Sequence, residues 1–148
     1  MSETHESARI PLQISRNCIV ASVQLDLRPH VLASFRTDLL DLLGKSGAQA
    51  VVIDLGGLQT IDQEEFDALR QTSDMARLMG ARSVLSGLNP GVVSSLVDLD
   101  VDLTDVEATR TLDAAFELIE ADGGVQTGAL RNHDAILDDD DADDFDPE

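Results

Sequence analysis

The chain has 148 residues, 43% of them hydrophobic, which is enough for one domain with a real core. Its net charge is −19, and its one lysine, Lys45, stands against nine arginines; so acidic a chain repels phosphates and has no basic stripe with aromatics, which excludes binding to a nucleic-acid backbone. No run approaches the roughly 20 apolar residues that cross a bilayer, and the start MSETHESAR has no apolar signal-peptide core, so a cytoplasmic protein without membrane insertion is expected.

Residues 1–8 read as a disordered leader. Ile10 to Ile14 and Cys18 to Val23 read as two strands joined by a tight hairpin through Ser15-Arg16-Asn17, with Arg9 and Gln13 on the wetter side. Pro11 restricts the first strand to an edge or a strand start. The single cysteine, Cys18, cannot form an internal disulfide and reads as core packing. Arg28-Pro29 breaks the chain. Leu32, Phe35, Leu39, Leu42 and Leu43 then predict an amphipathic helix over Leu32 to Leu43 that stops at Gly44 to Gly47.

The stretch from Val51 to Leu69, VVIDLGGLQTIDQEEFDAL, organises the rest. Ala50 to Ile53 is short, continuous and mostly β-branched, as in a strand buried on both faces, and Asp54 ends it. Gly56 and Gly57 loosen a strand-to-helix loop that Leu58 and Ile61 anchor to apolar surroundings. Asp62 predicts a helix N-cap, and Glu65 completes a capping box. Phe66, Leu69, Ser73, Ala76 and Met79 mark the inward stripe. A helix start of this kind offers free N–H groups and partial positive charge, so it suits a phosphate carried on a side chain.

Gly80 ends that helix and Arg82 to Ser86 reads as another strand. Gly87-Leu88-Asn89-Pro90 turns into a third helix carrying Val92, Val93, Leu96, Val97 and Leu99. Asp98 to Leu103 alternates acidic and apolar residues, and its latter part reads as a short half-exposed strand. Thr111 caps a last helix, Leu112 to Glu120, which Asp122-Gly123-Gly124 ends. The segment DDDDADDFDPE is too charged to offset its ordering entropy, so residues 123–148 read as a disordered acidic tail after a domain spanning 9–122. Even without the tail the rest is acidic, which fits solvation in a salt-rich cytoplasm as readily as any partner. The alternation of elements demands an α/β fold: a mixed four- to five-stranded sheet, its alternating part largely parallel, with helices packed against it.

Motifs for chemistry fail on their spacing. Gly44-Lys45-Ser46 imitates the end of a phosphate loop, but Leu39 occupies the place of the first glycine and the tripeptide closes a helix. Asp98, Asp100 and Asp102 begin a calcium-loop spacing, but Leu103 and Thr109 fill its glycine and glutamate positions. Asp54 at a strand end suggests a receiver aspartate, yet Asp26 stands alone where an acidic pair is needed, and Lys45 lies on a helix end. His5, His30 and His133 fall in the leader, a loop and the tail, where no scaffold positions a base or ligand. No enzyme, metal site or cofactor is expected.

Three pieces, VVIDLGGLQTID, RLMGARSVLSGL and NPGVVSSLVDL, together resemble the STAS domain of anti-sigma-factor antagonists, including stressosome proteins of the RsbS and RsbR type, over roughly Arg9 to Glu120. The resemblance implies the STAS fold and a non-catalytic scaffold or antagonist in partner switching. Its implied partners are other STAS-domain proteins of RsbR type and a serine/threonine kinase of RsbT type, in a homo-oligomer or hetero-assembly. In that family the residue after the capping aspartate is commonly a phosphorylated serine or threonine; here Asp62 is followed by Gln63, which cannot accept phosphate. Glu64 and Glu65 either mimic a permanent phosphate or simply stabilise the helix start. Ser95 matches a second phosphorylated position and is the candidate phosphosite. The expected partner-binding surface comprises Gly57, Leu58, Thr60, Ile61, Asp62 and Glu64. The alternatives are a ligand- or nucleotide-sensing STAS accessory subunit of a membrane transporter, and an acidic decoy of a nucleic-acid-binding partner.

Overall fold

The computed structural model describes residues 9–24 and 27–123. Four strands form one sheet in the order β1-β2-β3-β4: β1 Leu12–Ser15, β2 Cys18–Ser22, β3 Ala50–Asp54 and β4 Arg82–Ser86. The first pair is an antiparallel hairpin and the other pairs are parallel, so the sheet is mixed. Four helices follow in chain order among the described residues, α1 Pro29–Ser46, α2 Gln63–Leu78, α3 Pro90–Asp98 and α4 over 112–123. Contacts divide the chain into a unit Met1–Ala115, which holds the sheet and α1 to α3, and a unit Phe116–Glu148, of which 116–123 is helix. The expected leader and most of the expected tail lie outside the described residues.

Parallel neighbours need a crossover, and α1 and α2 supply the two between β2, β3 and β4. Since the strand order advances in one direction, right-handed crossovers put both helices on the same face of the sheet. On that face Ile19, Ala21, Val51, Ile53 and Leu85 share one core cluster with Phe35 and Leu39 of α1 and Phe66 and Leu69 of α2. The alternate strand residues Cys18, Val20, Ala50, Val52 and Val84 are buried as well, which explains why β3 reads as a continuous apolar run.

Several boundaries differ from the expectations for local reasons. The hairpin turns through only Arg16 and Asn17, both with positive φ (55° and 60°), the twist that a two-residue hairpin requires. Arg28-Pro29 opens α1 instead of merely breaking the chain: Pro29 sits in the first turn, where its missing N–H costs nothing. The stop of α1 falls within the expected Gly44 to Gly47. The helix runs to Ser46 and ends at Gly47, which takes the left-handed conformation (φ 67°) and donates its N–H to the Leu43 carbonyl at 3.0 Å. On α2 the buried stripe is Phe66, Leu69, Thr72 and Ala76, whereas Met79 is 49% exposed at the helix end. The helix period there favours Thr72 over Ser73 because i, i+3 and i+7 from Leu69 fall on the sheet side.

The suggested fifth strand within Asp98 to Leu103 does not form. Helix α3 takes Asp98, Asp100 adopts φ 57°, and Asp102 makes a turn by accepting from the Thr104 hydroxyl at 2.6 Å and the Thr104 N–H at 3.0 Å. Those two bonds, the hydroxyl first, hold the exposed Asp102 carboxyl below the usual carboxylate range. The outer edge of β4 is met instead by a single parallel bridge from Leu85 to Ala108, flanked by a bidentate Arg82–Glu107 ion pair at 2.7 and 2.5 Å. Thr111 caps α4 as expected, accepting from Ala114 N–H at 3.0 Å, and the helix continues to residue 123.

Leu39 is wholly buried between α1 and the sheet cluster. Leu39→Ala is expected to destabilise the fold by about 2–5 kcal/mol, read as a lower midpoint in urea denaturation at unchanged slope.

Candidate functional site

The loop after β3 carries most of the residues singled out above, and its shape follows from local bonds. Asp54, half-buried at the strand end, turns its carboxylate back to accept the Gly56 N–H at 2.9 Å, which bends the chain off the sheet. Gly57 passes so close to the segment that follows β2 that a Cβ there would meet the Gln24 Cα at 2.7 Å. Leu58 and Ile61 are 8% and 3% exposed and belong to the core cluster, so they hold the loop from below, while Gly57, Thr60, Asp62 and Glu64 are exposed.

At the end of the loop the capping box is complete. Asp62 accepts from Glu65 N–H at 2.8 Å, and the Glu65 carboxylate accepts from Asp62 N–H at 3.0 Å. Gln63, the first helical residue, is exposed. Two carboxylates in the first turn, Glu64 and Glu65, complement the positive end of the helix dipole. One of them, Glu65, is occupied by the capping box; Glu64 faces the groove between α1 and α2.

That groove, about 430 Å³, has Arg28 and Arg36 on its α1 side and Asp62, Glu64 and Glu65 on its α2 side, with buried Thr72 among its lining. Its two walls therefore carry opposite charge. A second, more open crevice of about 510 Å³ lies at the carboxyl ends of β2 and β3, lined by Ser22, Gln24, Asp54, Gly56 and Gly57 among others. By strand register Ser22, Asp54 and Ser86 form a row across the three parallel strands at this end, and the Ser86 hydroxyl is buried without a partner among the described residues.

Ser95 sits on α3, half-buried, beyond α2 and β4 in sequence but next to the same loop. Its hydroxyl donates to the Gly91 carbonyl at 2.9 Å and accepts from Ile61 N–H at 3.4 Å. The fold thus brings Ser95 to within one residue of the Asp62 cap. Sequence reasoning placed Pro90 early in this helix but missed the contribution of its neighbours. Asn89 caps α3 by accepting Val92 N–H at 3.1 Å, and its amide also donates to the Leu58 carbonyl at 2.6 Å. The Asn-Pro-Gly run signals the cap; nothing in it signals the second, long-range bond. Arg36 and Thr72 were missed too, since each belongs to an ordinary helical pattern until the two helices are laid side by side.

His30 is exposed at the start of α1, and no group of three or more potential metal ligands occurs among the described residues. No helix among them is long and apolar enough to cross a membrane. His5, His133 and Asp26 lie outside the described residues.

The cap predicts its own cost. Asp62→Ala removes a side-chain acceptor and leaves the Glu65 N–H without it; a loss of about 1 kcal/mol is expected in thermal or chemical denaturation, with Asp62→Asn recovering most of it.

Comparison with known proteins agrees with this architecture. The STAS domain family matches residues 9–123. Over 80 residues the chain is 31% identical to the RsbT co-antagonist protein RsbRA of Bacillus subtilis, an alignment covering 54% of this chain and 29% of that protein, so the chain spans under a third of its relative's length. Among solved structures, an RsbS variant from Moorella thermoacetica superposes with a TM-score of 0.67 at 22% identity, covering 76% of this chain and 95% of that one. The unphosphorylated anti-sigma factor antagonist SpoIIAA superposes at 0.58 with 12% identity, covering 75% and 97%. At those identities the structures share the fold.

Proposed function

The chain belongs to the STAS-domain family, and from that premise we propose that it is a cytoplasmic, non-enzymatic regulator, a scaffold or antagonist in a stressosome-type partner-switching module. It acts by binding other STAS-domain proteins and a serine/threonine kinase. The observation that carries the reading is the exposed loop and helix start at Gly57 to Glu64: a surface held from below by Leu58 and Ile61 and closed by a complete capping box, at the position where family members commonly carry phosphate. Such a surface is preorganised, so little ordering entropy opposes partner binding.

Gln63 has no hydroxyl, and the charges of Glu64 and Glu65 already serve the helix dipole and the cap. Switching at this loop therefore falls to partners or to Ser95, which retains a hydroxyl beside it. A second reading, a ligand-sensing STAS domain accessory to a transporter, draws on the crevice at the carboxyl ends of β2 and β3, where α/β sheets commonly bind ligands.

Affinity capture of the tagged full chain from its own cytoplasm at native salt is expected to retain STAS-domain proteins and a serine/threonine kinase; recovery of transporter subunits without a kinase would reverse the assignment. With the retained kinase and labelled ATP, wild-type protein is expected to incorporate phosphate and Ser95→Ala to lose it. Undiminished incorporation in that variant would remove Ser95. Gln63→Ser is expected to create a second labelled position, because residue 63 is exposed at the helix start.

A further inference from the structure

The loop that presents the proposed partner-binding surface meets the N-cap and first two turns of α3 at three points. The Leu58 carbonyl accepts from the Asn89 amide at 2.6 Å. The Gln59 carbonyl lies directly against Gly91, where any side chain would be driven into its oxygen. The Ile61 N–H donates to the Ser95 hydroxyl at 3.4 Å, the longer and weaker of the two hydrogen bonds. The residue that follows Ile61 is Asp62, whose backbone N–H and carboxylate make both bonds of the capping box.

We propose that Asn89, Gly91 and Ser95 form a latch that sets the conformation of the 58–62 loop, and that phosphorylation of Ser95 opens the latch and so alters the partner-binding surface from its buried side. The proposal deepens the regulatory reading of Ser95 and rests on it. A protein kinase using ATP would form the Ser95 Oγ–P bond as the bond from the γ-phosphorus to the β,γ-bridging oxygen breaks; ADP leaves and the hydroxyl proton passes to the kinase's base. The resulting ester oxygen has no proton, so its bond to the Gly91 carbonyl is lost. The added dianion then stands beside that carbonyl oxygen and needs room that the Ile61 backbone occupies. Ile61, 3% exposed, is the residue displaced, and the first turn of α2 follows through the adjoining cap.

Gly91 supplies a second way to open the same latch. A methyl group at 91 pushes on the Gln59 carbonyl by steric contact alone, with no change in charge and no kinase.

The test is amide hydrogen exchange by NMR on the purified full chain, with Val52 in β3 as the core reference. Ser95→Ala is expected to speed exchange at Ile61 roughly three- to tenfold, the range for loss of one hydrogen bond, and Ser95→Thr to restore it. Ser95→Glu and Gly91→Ala are expected to add resonance shifts across Asp62 to Phe66, with Val52 unchanged. Unaltered Ile61 exchange in Ser95→Ala, or equal acceleration at Val52, would overturn the latch, the second because it marks general loosening. Phosphate labelling is independent of exchange, so an Ile61 response without labelling leaves the latch standing and removes the regulatory use of Ser95. Labelling without an Ile61 response does the reverse.

Discussion

Every other feature depends on the parallel, in-register pairing of β3 with β2 on one side and β4 on the other. A central strand paired on both edges and buried on both faces leaves no freedom in register, because a one-residue slip would exchange all inward and outward side chains. Parallel pairing also forces each connection to return along the length of the sheet. Both returns are helical, and both exit loops after β2 and β3 emerge at the same end.

The consequence is that the loop after β3 starts from a fixed point, the Asp54–Gly56 turn, and ends at another, the Asp62–Glu65 box. Between them its apolar residues point down and its polar residues point out. Gln63, exposed at the first helical position, is placed by the Asp62 cap that precedes it. A surface of this kind needs no catalytic group: it can be recognised as it stands, or changed by moving its supports.

Those supports come from α3, and they are unequal. Asn89 makes a short bond to Leu58 while also capping its own helix, so its two roles reinforce each other. Gly91 permits the close approach by having no side chain. Ser95 contributes the longer bond and the only hydroxyl. The acidity of the chain adds a background constraint, since a protein at −19 associates more readily with partners that bring positive charge or in a salt that screens the repulsion.

Much of this was legible in the residues alone, and the reason is that it depends on local chemistry. The buried run at Ala50 to Ile53, the Asp62 and Glu65 box, the strand at Arg82 to Ser86 and the Thr111 cap are each decided by neighbours within about four positions. Where a local signal was ambiguous, longer-range forces decided it. Gly44 looks like a helix stop, but packing of Leu39 and Leu43 carries α1 through it to Gly47, at a cost of only about 1 kcal/mol for an interior glycine. The acidic and apolar alternation at Asp98 to Leu103 looks like a strand, but a helix end and the Asp102 turn claim it first. By itself, then, the sequence determined the α/β class, the order of elements and the chemistry at the start of α2. Only the tertiary structure decided that Ser95, Gly91 and Asn89 stand against the loop, because contacts across about thirty residues arise from the crossover geometry of the sheet and leave no periodicity to read.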